Sequence, residues 1–449
     1  MRVARQYTSS TSNVDVEAVI PACTQVLDIE LSKPVPGLQP AIVEGQYCRR
    51  AWVLVRLYGE PLGAQTLDIP PEGLSSETVV ERLLASRLPS LYRMLEIDDS
   101  VVARGQVLEV IHKIGSSAFS RSHHTFLSRA QRCSVVVCTR DRPDELRRCL
   151  NSLVQQDHPD FAVWVVDNTA GNNLTREVAE SYGDDIEVHY VVEPRSGLSR
   201  ARNRALEQDL GDIVAWLDDD EVADSMWLSE LVRAFEQHPE VVGASGLVVP
   251  AELLTKAQVW FEQFGGHSKG RGFIPDKFSQ ATRSRQHPLY PLPPFGVGAN
   301  MAFRTKALRQ LGGFDEALGA GTPAQGAEDT KVFTDFLLAG ESTLYWPSAI
   351  TRHFHRRDLN GLRRQMRGYG AGLAAFYTAE VFSRPSTVLD LLRLAPRALR
   401  DVYSRDSPRV ATVEEDFPRI LLAQNRREMV VGPWLYLRGR IQNWRAARS

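Results

Sequence analysis

No stretch of this 449-residue chain reaches the roughly 18 uninterrupted apolar residues that a membrane-spanning helix needs. The opening MRVARQYTSSTSNVDVEAV holds no apolar core of the signal-peptide kind. Cysteine is scarce. The five present, Cys23, Cys48, Cys133, Cys138 and Cys149, form no CxxC pair and no metal-ligand spacing, which reads as reduced, packed thiols. Excess charge is missing as well: 53 Lys and Arg against 55 Asp and Glu leave a net −2, so no global positive field points to nucleic acid. Internal repeats and low-complexity tracts are absent too. The remaining composition, 43% hydrophobic and 24% charged, is too apolar for disorder and ordinary for a globular protein. These features together predict a soluble cytoplasmic protein of two or three domains, able to rest peripherally at the inner face of a membrane.

Pattern divides the chain into three regions. Residues 1–128 hold β-like runs, Gln25–Leu31 and Ala51–Leu57, and a helical run Glu77–Leu88 that Ser75 or Ser76 can cap, which predicts a smaller α+β domain. The segment Gly115–Arg129 has little apolar periodicity and reads as a linker. In residues 129–358 the rhythm changes. Short apolar runs, Ser134–Cys138, Ala162–Val166, Val188–Val192 and Ile213–Leu217, alternate with helical stretches, as a mainly parallel α/β sheet flanked by helices requires. Residues 359–449 predict a helical extension, Arg363–Tyr377 and Thr387–Val402, the second kinked or broken by Pro396. The tail Val431–Trp444 mixes aromatics with arginines; it either packs back onto the protein or lies at a lipid interface.

Ligands of an open α/β sheet bind at the carboxyl ends of its strands. Three strands end in polar groups: one in Thr139-Arg140-Asp141, one in Asp167-Asn168, one in Asp218-Asp219-Asp220. Adjacent carboxylates repel, and a hard divalent cation, Mg2+ or Mn2+, is a natural compensation; a solvated acidic turn is the plain alternative. Glu328-Asp329 opens a helix whose apolar face holds Val332, Phe333, Phe336 and Leu337. Such acids either complement the helix dipole or include a general base. His353 or His355 could supply a nitrogen ligand. The glycines of Phe295–Met301 allow close backbone approach to a ligand, and Arg195, Arg200, Arg202 and Arg204 could balance phosphate charge.

Taken in order, SVVVCTRDRPDELRRCLNSL, VWVVDN, SGLSRARNRAL, DIVAWLDDDEV, FGVGANMAFRTKAL, LGGFDE, GAEDTKVFTDFLLAG and TLYWPSAITRHFHR resemble the catalytic domain of glycosyltransferase family 2 over Cys133–Asp358. The resemblance implies a GT-A fold and an inverting transfer of sugar from a nucleotide sugar to a glycan, lipid-linked or small-molecule hydroxyl. UDP is that family's commonest donor nucleotide, with GDP and dTDP also used. It further implies that Thr139 begins the donor loop and that Asp167 lies near the base or ribose. Asp218 and Asp220 become the outer acids of a DxD element, with Asp220 the direct ligand of Mn2+ or Mg2+. Arg140, Arg195, Arg202 and Asp219 complete the donor-binding set. Asp329, beside Glu328, becomes the catalytic base, and His353 the late metal-holding histidine, with His355 close enough to compete for that register. Two other readings compete: a sugar- or nucleotide-binding module that has lost its chemistry, and a nucleotidyltransferase. Nothing in the sequence resembles the glycine- and lysine-rich nucleotide loop expected of the latter.

Overall fold

The computed structural model describes residues 23–448 except 86, 96, 98–105, 170–172, 269, 280–286, 291, 293–294, 404–415 and 447. The opening residues, read above as lacking a signal core, lie outside them.

The N-terminal part runs β1 (Gln25–Glu30), β2 (Ala41–Val43), β3 (Gln46–Cys48), β4 (Arg50–Leu57), β5 (Glu60–Asp68), α1 (Ser76–Leu84), α2 (Leu88–Leu95), α3 (Val107–Ile114) and α4 (Ala118–Leu127). β1, β4 and β5 form a three-stranded sheet. Val53, Val55 and Leu57 pack there on Leu83, Leu91 and Ile111. Ser75 caps α1 by accepting the Thr78 N–H. The linker expected over Gly115–Arg129 is instead largely helix α4, started by a reciprocal Ser117–Ser120 capping box that apolar periodicity does not reveal. Cys23 and Cys48 are joined in a disulfide, which corrects the expectation of five reduced thiols; Cys133, Cys138 and Cys149 are free. Chain pairing near β1 and β3 brings the two together across 25 residues of sequence, and no local spacing announces it.

The large sheet contains β6 (Cys133–Thr139), β7 (Phe161–Asp167), β8 (Glu187–Val192), β9 (Ile213–Asp218), β10 (Glu221–Ala223), β11 (Val241–Pro250), β12 (Asp276–Phe278), β13 (Asn300–Arg304) and β14 (Ser342–His353). Its order is β10-β14-β11-β13-β9-β6-β7-β8, with β12 added on β14. The stretch β9-β6-β7-β8 is parallel, as the alternation of strand and helix predicts. Beyond β9, antiparallel β13 intervenes and the sheet becomes mixed. Continuous apolar strands are needed because both faces are covered. Val135 and Val137 pack with Leu146, Leu150 and Trp227 on one side, whereas Val136 packs with Trp216, Phe303 and Phe333 on the other. The helices of this part are α5 (Pro143–Val154), α6 (Leu174–Glu180), α7 (Leu198–Leu206), α8 (Trp227–Gln237), α9 (Lys256–Gln263), α10 (Thr305–Leu311) and α11 (Glu328–Leu338), of which α9 packs on Leu362, Met366 and Leu421 near the end of the chain.

The two parts are joined by ionic and apolar contacts. Leu54 packs on Leu247, Val249 and Ile350 of the large sheet. Arg56 bridges Asp28 (3.1 Å) and Asp224 (2.5 Å). Fully buried Glu230 accepts from Arg233 Nη2 (2.6 Å) and Trp346 Nε1 (2.9 Å), and lies 2.5 Å from His123 Nδ1 on α4.

Three helices close the chain: α12 (Leu359–Ser383), α13 (Thr387–Tyr403) and α14 (Arg419–Ala446). α13 continues through Pro396 rather than breaking there. The tail is helix α14 and packs on α12. A Cβ at Gly432 would lie 2.5 Å from the Ala371 carbonyl, so only glycine permits that approach. Among the described residues no helix is long and apolar enough to cross a membrane.

Candidate active site

The ends of β6 and β9 and the start of α11 converge as the strand-end rule requires. Thr139 Oγ1 donates to Asp219 Oδ2 at 2.8 Å, and Arg142 Nη1 donates to Asp219 Oδ1 at 2.9 Å and Asp220 Oδ2 at 3.3 Å. Burial and the neighbouring Asp220 push the Asp219 carboxyl upward, against the pull of Arg142. Asp220 also meets Arg356 at 3.4 Å. Guanidinium groups therefore offset much of the repulsion that the bare triplet implied. Glu221, which a solvated acidic turn would leave on the surface, is fully buried, and burial raises its carboxyl well above the ordinary value.

Asp220 Oδ1 lies 3.7 Å from His353 Nε2. The other ring nitrogen of His353 is 2.6 Å from His355 Nδ1, and His355 Nε2 is 2.7 Å from Glu262 Oε1. A chain of polar contacts thus runs from the strand-end acid through two imidazoles to a carboxylate on α9. His267 stacks edge-on against His353 with ring centroids 4.3 Å apart, and one nitrogen from each of the three histidines falls within 4.8 Å of the others. Burial, reinforced by His355 and Arg356, holds the His353 imidazole well below its ordinary value, which keeps it neutral and fit to be a ligand.

On the other side stands Arg202, 1% exposed, which donates to Asp218 Oδ1 (3.0 Å), Glu328 Oε1 (2.9 Å) and the Gly298 carbonyl (3.0 Å). The Gly298 N–H donates to Asp329 Oδ2 at 2.6 Å. A Cβ at Gly298 would lie 3.1 Å from the Arg202 guanidinium, so the close approach foreseen for Phe295–Met301 is made to protein atoms. Burial and the Asp329 charge raise the Glu328 carboxyl, while Arg202 opposes them. Glu328 is buried and tied to Arg202, whereas Asp329 is partly exposed. Just before them Gln325 and Ala327 hold φ of 61° and 70°, a left-handed backbone that non-glycine residues adopt at a cost of about 1–2 kcal/mol.

The remaining expected residues are more peripheral. Asp167 is buried and accepts from the Thr169 N–H (2.9 Å) and the Tyr190 hydroxyl (2.7 Å). Arg140 bonds Ser196, and Arg195 pairs with Glu193 at 2.9 Å, so neither joins the acid cluster. The sequence reading missed Arg142, Glu262 and His267. Arg142 had a signal, since it lies three residues beyond the end of an active-edge strand; the other two had none.

Residues 134–312 match the model of Glycosyl transferase family 2. This chain carries a family 2 glycosyltransferase domain. The family match and the curated relatives mark the chain as a glycosyltransferase. Glu328, Asp329 and His353 lie beyond the matched segment. Among curated relatives, the glucosyl-dolichyl phosphate glucuronosyltransferase of Haloferax volcanii is 26% identical over 49% of this chain and 68% of its own length. Succinoglycan biosynthesis protein ExoM of Rhizobium meliloti is 31% identical over 47% of this chain and 63% of its own, so the chain spans less than two thirds of that relative. A solved structure, mannosyltransferase PcManGT from Pyrobaculum calidifontis in complex with GDP-Man and Mn2+, is a distant likeness: TM-score 0.41, 17% identity, 73% of this chain and 84% of that one.

Proposed function

We propose that the chain transfers a sugar from a nucleoside-diphosphate sugar to an acceptor hydroxyl, with inversion at the anomeric carbon. The observation that carries this reading is the meeting of two acid clusters on one buried arginine: Asp218 from the strand end and Glu328 from the helix start both bond Arg202.

In this reading Asp220 and His353 hold a divalent cation, Mn2+ or Mg2+, with Asp218 beside them. Oxygen and nitrogen donors 3.7 Å apart can share one ion, and one of them is a neutral imidazole. The bound cation supplies positive charge against the departing diphosphate. The protein's own groups do the rest. His355 donates from Nε2 to Glu262 and accepts at Nδ1 from His353, which leaves the Nε2 lone pair of His353 facing Asp220. Arg142 and Arg356, both partly exposed, turn from Asp220 to phosphate oxygens. Thr139, Arg140, Asp167 and Arg195 line the nucleotide side, while Asp219 is held by Thr139 and Arg142 as the brace of the triplet.

Asp329 takes the acceptor proton. Its exposure and its fixed bonds to the Gly298 and Thr330 N–H groups suit a positioned base, whereas Glu328 is occupied by Arg202. The catalytic region spans 129–358, with accessory regions 1–128 and 359–449. Acceptors fall among glycans, lipid-linked sugars and small molecules; the Haloferax relative's name places a glucosyl-dolichyl phosphate in its own chemistry.

Incubating the protein with UDP-, GDP- and dTDP-sugars and Mn2+ tests the reading, since water can replace the acceptor. Release of nucleoside diphosphate together with the inverted free sugar, seen by proton NMR before mutarotation, is expected. Nucleoside monophosphate as product would favour a nucleotidyltransferase, and binding without release a module that has lost its chemistry.

A further inference from the structure

Helix α14 has two unlike faces. Its inner face buries Leu421, Asn425, Gly432, Tyr436 and Gly439. Asn425 Nδ2 donates to the Met366 carbonyl at 2.7 Å, Tyr436 donates to Asp315 at 2.9 Å, and Arg200 Nη2 donates to Asn443 Oδ1 at 2.6 Å. Val430, Trp434, Leu437, Ile441 and Trp444 follow one another at intervals of four and three residues and so share the outward face, where Val430 is 77%, Trp434 59% and Trp444 55% exposed. Most of the large apolar side chains exposed among the described residues belong to the last three helices. Monomeric soluble proteins seldom leave a continuous apolar face of this kind open to water.

The charge on the same helix says what covers that face. α14 carries six arginines against one glutamate. Arg438, exposed, lies with its guanidinium 5.6 Å from the centre of the Trp434 ring, and Arg448 lies 3.8 Å from that of Trp444. A second copy of this face would set arginine against arginine. Anionic headgroups would instead meet the guanidinium groups while acyl chains meet tryptophan and isoleucine, the pattern of a helix lying in a bilayer interface.

We propose that the outward face of α14 docks the protein on an anionic lipid bilayer. The inner face is bonded to Asp315 and packs on Ala317, in the loop that leads to Glu328 and Asp329, so docking holds that loop about one helix diameter, ~10 Å, from the lipid. An acceptor carried on a lipid is the substrate class this favours. Only that last step rests on the sugar-transfer reading.

Flotation of the full-length protein with phosphatidylcholine vesicles, with and without phosphatidylglycerol, tests the docking at low salt. Wild type is expected to float with the anionic vesicles alone. The triple variant Trp434→Ser, Ile441→Ser, Trp444→Ser should lose this at least about tenfold with an unchanged melting temperature, because all three side chains are exposed. Wild type remaining unbound, or the triple variant binding equally well, would overturn the proposal. So would a dimer in solution that the triple variant dissolves, which would give the face to a second copy. Melting with nucleoside diphosphate and Mn2+ keeps the two ideas apart: loss of that shift counts against the transfer reading and leaves the docking result standing.

Discussion

The acids at the end of β9 and the acids at the start of α11 meet their counter-charges in different ways. Asp220 faces two partly exposed guanidinium groups, Arg142 and Arg356, at 3.3 and 3.4 Å, and a neutral imidazole at 3.7 Å. The two guanidinium groups stand at long hydrogen-bond range from Asp220 and reach solvent, so they can turn to another anion. Glu328 instead faces Arg202, which is buried and fixed by three acceptors, and Asp329 is gripped by backbone N–H groups. One cluster is suited to exchanging partners and the other to holding a carboxylate still. That is the division a cation-and-diphosphate pocket and a catalytic base require.

The largest test breaks the two apart. Asp329→Asn should lower turnover by about 10²–10⁴-fold while leaving metal-dependent nucleotide binding intact. Asp220→Asn should remove both. Equal loss of nucleotide binding in the two variants, measured by calorimetry, would erase the distinction.

Arg202→Met comes next. It leaves Asp218 and Glu328 without their buried cation and should cost about 3–5 kcal/mol of stability in urea unfolding. A cost near zero would mean that the two clusters do not depend on one another.

A third ionic site, at the junction of the N-terminal part with the catalytic sheet, sharpens the contrast because nothing in it exchanges. Burial alone would lower the His123 pKa, but its bonds to Asp157 and Glu230 outweigh that and raise it to about 9. A raised histidine stabilises the fold fully below its unfolded value near 6.5, and that stability is lost as pH rises through about 9. The loss should reach about 3 kcal/mol, and His123→Gln should flatten that slope. The same contacts predict that deleting residues 1–128 lowers the melting temperature of what remains, since it strips Glu230 and Asp224 of partners.

The smallest effect lies behind the cation site. Glu262→Gln can present an amide N–H to His355 and so reverse the tautomer of His353. Mn2+ affinity, read by the EPR signal of free Mn2+, should fall about 10–100-fold with melting unchanged. Unchanged affinity would remove Glu262 from the account.

Much of the catalytic region was legible because its physics is local. Continuous apolar strands, Pro143 at the start of α5 and polar residues at strand ends are all sequence-adjacent signals. The partners of those polar residues were not. Arg202 reaches Glu328 across 126 positions and His355 reaches Glu262 across 93, distances no periodicity reports. Capping explains α4, where two serines start a helix that lacks an apolar stripe. The tail helix α14 reads from sequence only as a mixture of aromatics and arginines because its inner face is made of one leucine, one asparagine, two glycines and one tyrosine rather than a regular apolar set. The reading that the tail packs back onto the protein holds for one face, and the other face remains exposed.

The measurement that bears most directly on the central claim is thermal melting with UDP, GDP, dTDP and CDP, each with and without Mn2+, for wild type and Asp220→Asn. One nucleoside diphosphate should raise the melting temperature of wild type only when the metal is present, and at about a hundred times its dissociation constant the gain should be about 2.7 kcal/mol. Asp220→Asn should abolish it. No shift with any nucleotide, or a shift indifferent to both the metal and Asp220, would contradict the assignment of this edge of the sheet to the donor.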